Sequence, residues 1–230
     1  MQPIAQILAN ELNVQITQVD AAVTLLDEGS TVPFISRYRK EVTGGLDDIQ
    51  LRQLDERLGY LRELAERRLS VLASIDEQGK LTPELKIAIV QAETKTRLED
   101  LYLPYKKKRR TKGQIAVEAG LEPLADRIMA DFNLDPDVLA EQYINEDFSI
   151  ADSKAALDGA KFILMERFTE HADLLAKLRQ IIADKGMLMS NVSKDKETEG
   201  EKFRDYFDYR EPIGKVPPHR ALALFRGRKE

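Results

Sequence analysis

From Leu46 to Gln78 the sequence holds no proline and a single glycine, Gly59. Leu51, Leu54, Leu58, Leu61, Ala65, Leu72 and Ile75 recur there at three- and four-residue spacing, interrupted by Arg68. That period puts the apolar side chains on one stripe of a helix of about nine turns, about 50 Å long at a rise of about 1.5 Å per residue. Glu56, Arg57, Arg62, Glu63, Glu66 and Arg67 fall on the solvent face. A helix with one apolar seam must cover it. It is either a coiled-coil arm or the spine on which shorter helices pack, and a lone seam broken by an arginine favours the spine.

The flanking sequence supplies such helices. Ile4, Ile7, Leu8 and Leu12 have helical spacing. Thr17 with Asp20 reads as the start of a second helix, which Gly29 ends. Pro33 suits the first turn of a third, running from Val32 to about Glu41 and closed by Gly44 and Gly45. These three are compatible with a helix-turn-helix-type bundle or with an ordinary helical hairpin carrying a docked third helix. Beyond the long helix, Thr82-Pro83 and Thr96 with Glu99 read as helix starts, and Leu103-Pro104-Tyr105 as a helix end. Further helices are expected over Leu121–Asp131 and Asp135–Tyr143. A long helical stretch runs from the Ser149/Asp152 cap to Gly186, with a break near Thr169-Glu170. After Gly186 the texture changes: Met187–Val192 alternates like a short strand, and Glu199–Tyr206 looks helical. The apolar tail Pro217–Phe225 looks cut, as though the natural chain continues. The expected fold is mainly α, a helical bundle with helix-turn-helix-like elements around a long central helix and a small α/β piece at the C-terminus. The expected domains are 1–186, helical, and 187–230, the start of a mixed α/β subdomain.

Composition narrows the function classes. The 230 residues include 35 Lys and Arg against 40 Asp and Glu, a formal net charge of −5, and no cysteine. Disulfides, thiol catalysis and thiolate metal sites are excluded. The acidic balance argues against a generic nucleic-acid coat while allowing a local basic patch. The start MQPIAQILANELN lacks the basic and apolar regions of a signal peptide, and no apolar run approaches the ~18 residues needed to span a bilayer. A cytoplasmic chain with no membrane partner is expected.

The most concentrated charge is Lys106, Lys107, Lys108, Arg109, Arg110 and Lys112, read as a loop. Such a run repels itself unless an anion or an acidic surface lies near. One reading is a phosphate contact with RNA or DNA, with Tyr102 and Tyr105 beside it for base stacking. The other is a solvated loop pairing with Glu99, Asp100 and Glu118. Arg37, Arg39 and Lys40 on the third helix form a second candidate patch, or a solvated helix face. His171 and His219 lack metal-ligand spacing, Gly44-Gly45 lacks the spacing of a phosphate loop, and Ser30, Ser36 and Ser190 have no base nearby. No catalytic or metal-binding residue, cofactor or small-molecule substrate is expected.

The stretches TVPFISRYRKEVTGGLDD, LRELAERR, GKLTPEL, TKTRLEDLYLPYKKKRRTK, AGLEPLAD, EGEKFRDYFDYREPI and HRALALFRGRKE span nearly the whole chain. Together they resemble the N-terminal part of the bacterial Tex family of transcription accessory proteins. The resemblance implies a helical N-terminal region with helix-turn-helix-like elements. In the longer family members this is followed by an RNase-H-like YqgF-type domain, helix-hairpin-helix motifs and an OB-type RNA-binding domain. It is also similar to the core of a eukaryotic elongation factor that works with histones and RNA polymerase. It implies a transcription accessory role, with RNA or DNA and proteins of the transcription machinery as partners. The alternative is a protein-interaction scaffold with no nucleic-acid binding in this stretch.

Overall fold

A computed structural model describes residues 3–107 and 109–229. The chain divides into two compact units, 1–107 and 108–230. Among the described residues it is mainly α, with one two-stranded sheet near the C-terminus.

The first unit is organised by α4 (Asp48–Asp76), preceded by α1 (Ile4–Leu12), α2 (Ile16–Asp27) and α3 (Val32–Tyr38) and followed by α5 (Pro83–Gln91) and α6 (Lys95–Tyr102). Asp47 starts α4 with a reciprocal cap: its carboxylate accepts from the Gln50 N–H at 2.8 Å, and the Gln50 side chain accepts from the Asp47 N–H at 3.1 Å. The apolar stripe of α4 serves two cores in succession. Leu51, Leu54, Leu58 and Leu61 pack with Leu8, Val19, Ala22 and Ile35 of α1–α3. Leu64, Val71 and Ile75 pack with Ile89 of α5, Ala92 and Leu98 of α6. Ala65 and Leu72, expected in the seam, are only half-buried at its edge.

Arg68, read from the sequence as an interruption of the seam, belongs to it. It is 8% exposed, and its guanidinium donates to the carbonyl oxygens of Ile89 at 3.2 Å and Ala92 at 2.9 Å. Those carbonyls lie at the C-terminal end of α5, where Ile89 O also accepts from the Ala92 N–H at 3.3 Å and Ala92 O lies past the last helical residue. Three arginines placed on the solvent face also have structural work. Arg57 pairs with Glu11 of α1 at 2.8 Å, Arg62 with Asp27 of α2 at 2.7 Å, and Arg67 with Glu99 of α6 at 2.6 Å. Each carboxylate is held below its ordinary range, first by the hydrogen bond from its arginine.

Some helix starts differ from the sequence reading. The second helix begins at Ile16, not after Thr17, because the Gln18 side chain accepts from the Gln15 N–H at 2.9 Å and fixes the turn two residues earlier. The sixth is capped by Thr94, whose hydroxyl accepts from the Arg97 N–H at 3.1 Å, and not by Thr96. The third helix stops at Tyr38; residues 39–45 form a turn in which the Thr43 N–H bonds Arg39 O and the Gly45 N–H bonds Lys40 O.

The second unit comprises α7 (Lys112–Glu118), α8 (Glu122–Ala130), α9 (Pro136–Ala140), α10 (Ser153–Thr169), α11 (Ala172–Lys185), β1 (Met187–Asn191), β2 (Asp208–Pro212) and α12 (Pro218–Gly227). The break near Thr169-Glu170 separates α10 from α11. Helix α7 and strand β2 were not foreseen. The strands pair antiparallel, with Met187 opposite Pro212 and Asn191 opposite Asp208. The core is built from Ala116, Leu121, Leu124, Ala125, Leu139, Ile150, Ala156, Ala160 and Ile163. Its small residues let α7 and α10 approach closely. A side chain at Gly159 would collide with Leu121, and one at Gly113 would meet the Phe162 carbonyl at 3.0 Å. Arg167 of α10 ties down α8 through Glu122 at 2.8 Å and Asp126 at 2.5 Å.

Three outcomes are expected. Replacing Arg68 with Met keeps the bulk but removes the side-chain donor from the Ala92 carbonyl and leaves Ile89 O with only the Ala92 N–H. It should lower stability of the first unit by about 1–3 kcal/mol, measured by urea unfolding with hydrogen exchange to localise the loss to residues 1–107. Gly159→Val should destabilise the second unit by about 1–3 kcal/mol through overpacking, seen as accelerated exchange in α7 and α10. The lowered carboxylates predict the sign of a pH dependence. Their contribution is complete above the ordinary carboxylate range and is lost as pH falls through the depressed folded values. Thermal melts should therefore drop on acidification from pH 7. A variant with Arg57, Arg62 and Arg67 all changed to Gln should melt lower at pH 7 and lose less on acidification.

Candidate nucleic-acid interface

The division between the two units falls within the basic run, so each half is positioned by its own unit. On the first unit, α6 passes into a 3-10 turn at Leu103–Tyr105 and delivers Lys106 and Lys107 to the surface, both exposed. The turn is anchored from α4: the Gln78 side chain donates to Tyr105 O at 3.0 Å and to Ser74 O at 2.8 Å. Tyr102 is tied to the same helix, its hydroxyl 3.1 Å from Ser74 Oγ and its ring 5.3 Å from the Arg67 guanidinium. Tyr102 and Tyr105 pack against the core around Val71 and Ile75. The two tyrosines read as stacking partners for the run are thus half-buried and tied to the first unit's packing.

On the second unit, Arg109 and Arg110 are exposed, and Arg110 pairs with Glu118 of α7. Lys112, expected in the loop, is the first residue of α7. Thr111 caps that helix by accepting from the Gln114 N–H at 3.0 Å while its hydroxyl donates to Glu166 at 2.8 Å. The Lys112 ammonium lies 4.9 Å from the Phe162 ring centroid. Lys108 lies outside the described residues.

The acidic neighbours are largely occupied. Glu99 is held by Arg67, with the charge of Lys106 a smaller influence on it. Asp100 is buried. Glu118 serves Arg110. Among the described residues Lys107 and Arg109 form no ion pair.

The second patch differs in kind. Val32 and Ile35 face the core, which turns Phe34, Arg37 and Tyr38 outward. Arg37 and Lys40 are exposed, and the Arg39 guanidinium lies 5.6 Å from the Phe34 ring centroid. Phe34 and Tyr38 were not singled out from sequence. The missed signal was their four-residue spacing, which stacks them on one helix face, away from the two residues that go inward.

The histidines remain apart from this chemistry. His171 caps α11 by accepting from the Leu174 N–H at 3.2 Å, and His219 is exposed near the start of α12. Among the described residues no three His, Cys, Asp or Glu side chains gather as a metal site, and no helix is long and apolar enough to cross a membrane.

Comparison with known proteins places this architecture. Residues 2–76 match the Tex-like protein N-terminal domain, and residues 131–230 match the Tex central region-like family. The chain is 63% identical over 225 residues to Protein YhgF of Escherichia coli (strain K12), covering 98% of this chain and 29% of that protein. It is 61% identical over 223 residues to Protein tex of Bordetella pertussis, covering 97% and 28%. It is 58% identical over 227 residues to the Transcriptional accessory protein Tex of Neisseria gonorrhoeae, covering 99% and 30%. The chain thus spans under a third of the length of these relatives. With two successive Tex regions matched in order, the first of them spanning α1 to α4, the chain belongs to the Tex family and corresponds to its N-terminal part.

Proposed function

We propose that this chain is a helical scaffold segment of a transcription accessory factor and that it contributes an auxiliary phosphate contact to nucleic acid. The family relationship supports the transcription role, since a relative of 58% identity bears the name transcriptional accessory protein. The observation that carries the phosphate contact is the state of the basic run. Lys107 and Arg109 are exposed and form no ion pair among the described residues, while the nearby Glu99 is engaged by Arg67. Unneutralised cations at that density gain most from a polyanion, because bound phosphates shed their condensed counterions. Contacts of this kind hold a strand in place without reading its sequence. The reading is non-catalytic and cytoplasmic. In support of the non-catalytic reading, Arg57, Arg62 and Arg67 of α4 are engaged with carboxylates of α1, α2 and α6.

A second reading has its own support. In the second unit Leu178, Ile181 and Ile182 of α11 and Leu222 and Phe225 of α12 are exposed. Large exposed apolar side chains on an acidic body suit a protein-docking scaffold of the transcription machinery with no nucleic-acid contact.

Fluorescence-anisotropy titration separates the two. Labelled single-stranded RNA, single-stranded DNA and duplex DNA are compared at about 50 and 200 mM salt, using the intact chain and a Lys107→Gln, Arg109→Gln, Arg110→Gln variant. The expected result is binding that weakens steeply with salt, with a shallower salt slope in the variant and little change in its thermal melt. Absence of binding at the lower salt, or equal binding by the variant, would sink the phosphate contact and leave the scaffold reading.

A further inference from the structure

We infer that Phe34 and Tyr38 on α3, with Arg37, Arg39 and Lys40 around them, form a base-stacking platform for an unpaired stretch of nucleic acid. The inference rests on the nucleic-acid reading above but uses none of the same residues.

Exposure is the first observation. Phe34 is 40% and Tyr38 63% exposed, although α3 belongs to a well-packed core through Val32 and Ile35. Their ring centroids are 5.5 Å apart and tilted by 45°, so the two exposed rings adjoin, with Tyr38 the more open of the pair. The cation set is the second. Arg37, Arg39 and Lys40 fall within four residues, all exposed, and the Arg39 guanidinium is held over the Phe34 ring. Asp48, which feels the Arg37 charge, is engaged first by Arg52 at 2.7 Å; Asp47 accepts from the Gln50 N–H, and Glu41, next to Lys40 in sequence, is exposed. Net positive charge therefore remains beside the rings.

Rigidity is the third. The segment after α3 is clamped by Gln18 of α2, whose side-chain amide donates to Gly44 O at 2.7 Å and reaches Thr43 O at 3.4 Å. Thr43 is fully buried and its hydroxyl donates to Lys40 O at 3.2 Å. Gly44 has φ +61°, and a side chain there would crowd Gln18 at 3.0 Å. The backbone bearing Arg39 and Lys40 is thus fixed against α2 and loses little freedom on binding.

Flat π faces beside cations match the two repeating chemistries of a single strand, bases and phosphates. A duplex already stacks its bases internally and offers this surface only its phosphates. The charge balance favours a polyanion over a neutral protein surface. The contrast with the basic run is physical: there the tyrosines are half-buried and packed against a core, whereas on α3 exposed rings and charge share one surface.

The test uses the intact chain with labelled oligouridine and, separately, labelled duplex DNA. Tyr38→Ala should weaken oligouridine binding about tenfold and leave duplex binding unchanged. Tyr38→Phe should retain wild-type affinity, because stacking needs the ring and not the hydroxyl. Circular dichroism confirms that the variants fold, which the exposure of Tyr38 favours. Wild-type oligouridine affinity in Tyr38→Ala would overturn the platform while leaving the proposed phosphate contact standing. An equal loss for oligouridine and duplex would also overturn it, since the residue would then act without stacking. Failure of the intact chain to bind any nucleic acid would overturn both.

Discussion

One stripe of side chains on α4 supports the whole first unit. A straight helix offers a single face at the 3.6-residue period, and here that face is divided end to end. Leu51 to Leu61 complete a core with α1, α2 and α3, and Leu64 to Ile75 complete another with α5 and α6. Neither set of short helices has enough apolar surface to be stable alone, because helices of seven to twelve residues are marginal in water without tertiary packing. The ion pairs from Arg57, Arg62 and Arg67 run along the margins of the stripe, each to a different helix. Exposed pairs of this kind are worth little singly. Their placement fixes the angle at which each short helix meets the spine more than it adds to stability.

Arg68 shows why a charged residue can occupy the centre of such a seam. Its aliphatic stem continues the apolar stripe, and its planar head reaches the end of α5, where it donates to the Ile89 and Ala92 carbonyls. The guanidinium and the helix end would each be costly to bury alone. Together they satisfy one another, and the negative end of the α5 dipole favours the positive charge. The same side chain thereby determines where α5 must stop relative to α4.

The seam itself, the breaks at Gly29 and Gly79, the Thr82-Pro83 start and the division between α10 and α11 were legible because each depends on residues close in sequence. What escaped depends on partners far away. Arg68 looked like a flaw because its acceptors lie 21 and 24 residues on. The α4 arginines looked solvated because Glu11, Asp27 and Glu99 reach them only in the folded unit. Strand β2 alternates half-buried and exposed positions in a polar sequence, DYREP, and gains its identity only from pairing with β1. The candidate site shows the same division. The charge of Lys106 to Lys112 was plain in sequence, but adjacency made Tyr102 and Tyr105 look available when helix geometry turns them inward. The reverse held at Phe34 and Tyr38, where two aromatic residues in a short helix suggested nothing until Val32 and Ile35 took the inward face.

The acidic balance of the chain and its basic patches are reconciled by where the carboxylates are spent. Glu11, Asp27, Glu99, Glu122 and Asp126 are paired with Arg57, Arg62, Arg67 and Arg167, so these groups of both signs add little to the field near the patches, and the net charge of −5 describes the whole chain rather than those surfaces. Local fields decide what approaches, since charges beyond about 10 Å are screened at moderate salt. Two surfaces built on that principle would respond differently to ionic strength. Contacts made by charge alone fade as counterions compete for the phosphates, whereas stacking on an aromatic face has no counterion to lose. A chain with both would hold duplex and single strand comparably at low salt and favour the single strand as salt rises. That preference would arise without any hydrogen bond to a base edge and would therefore be indifferent to sequence.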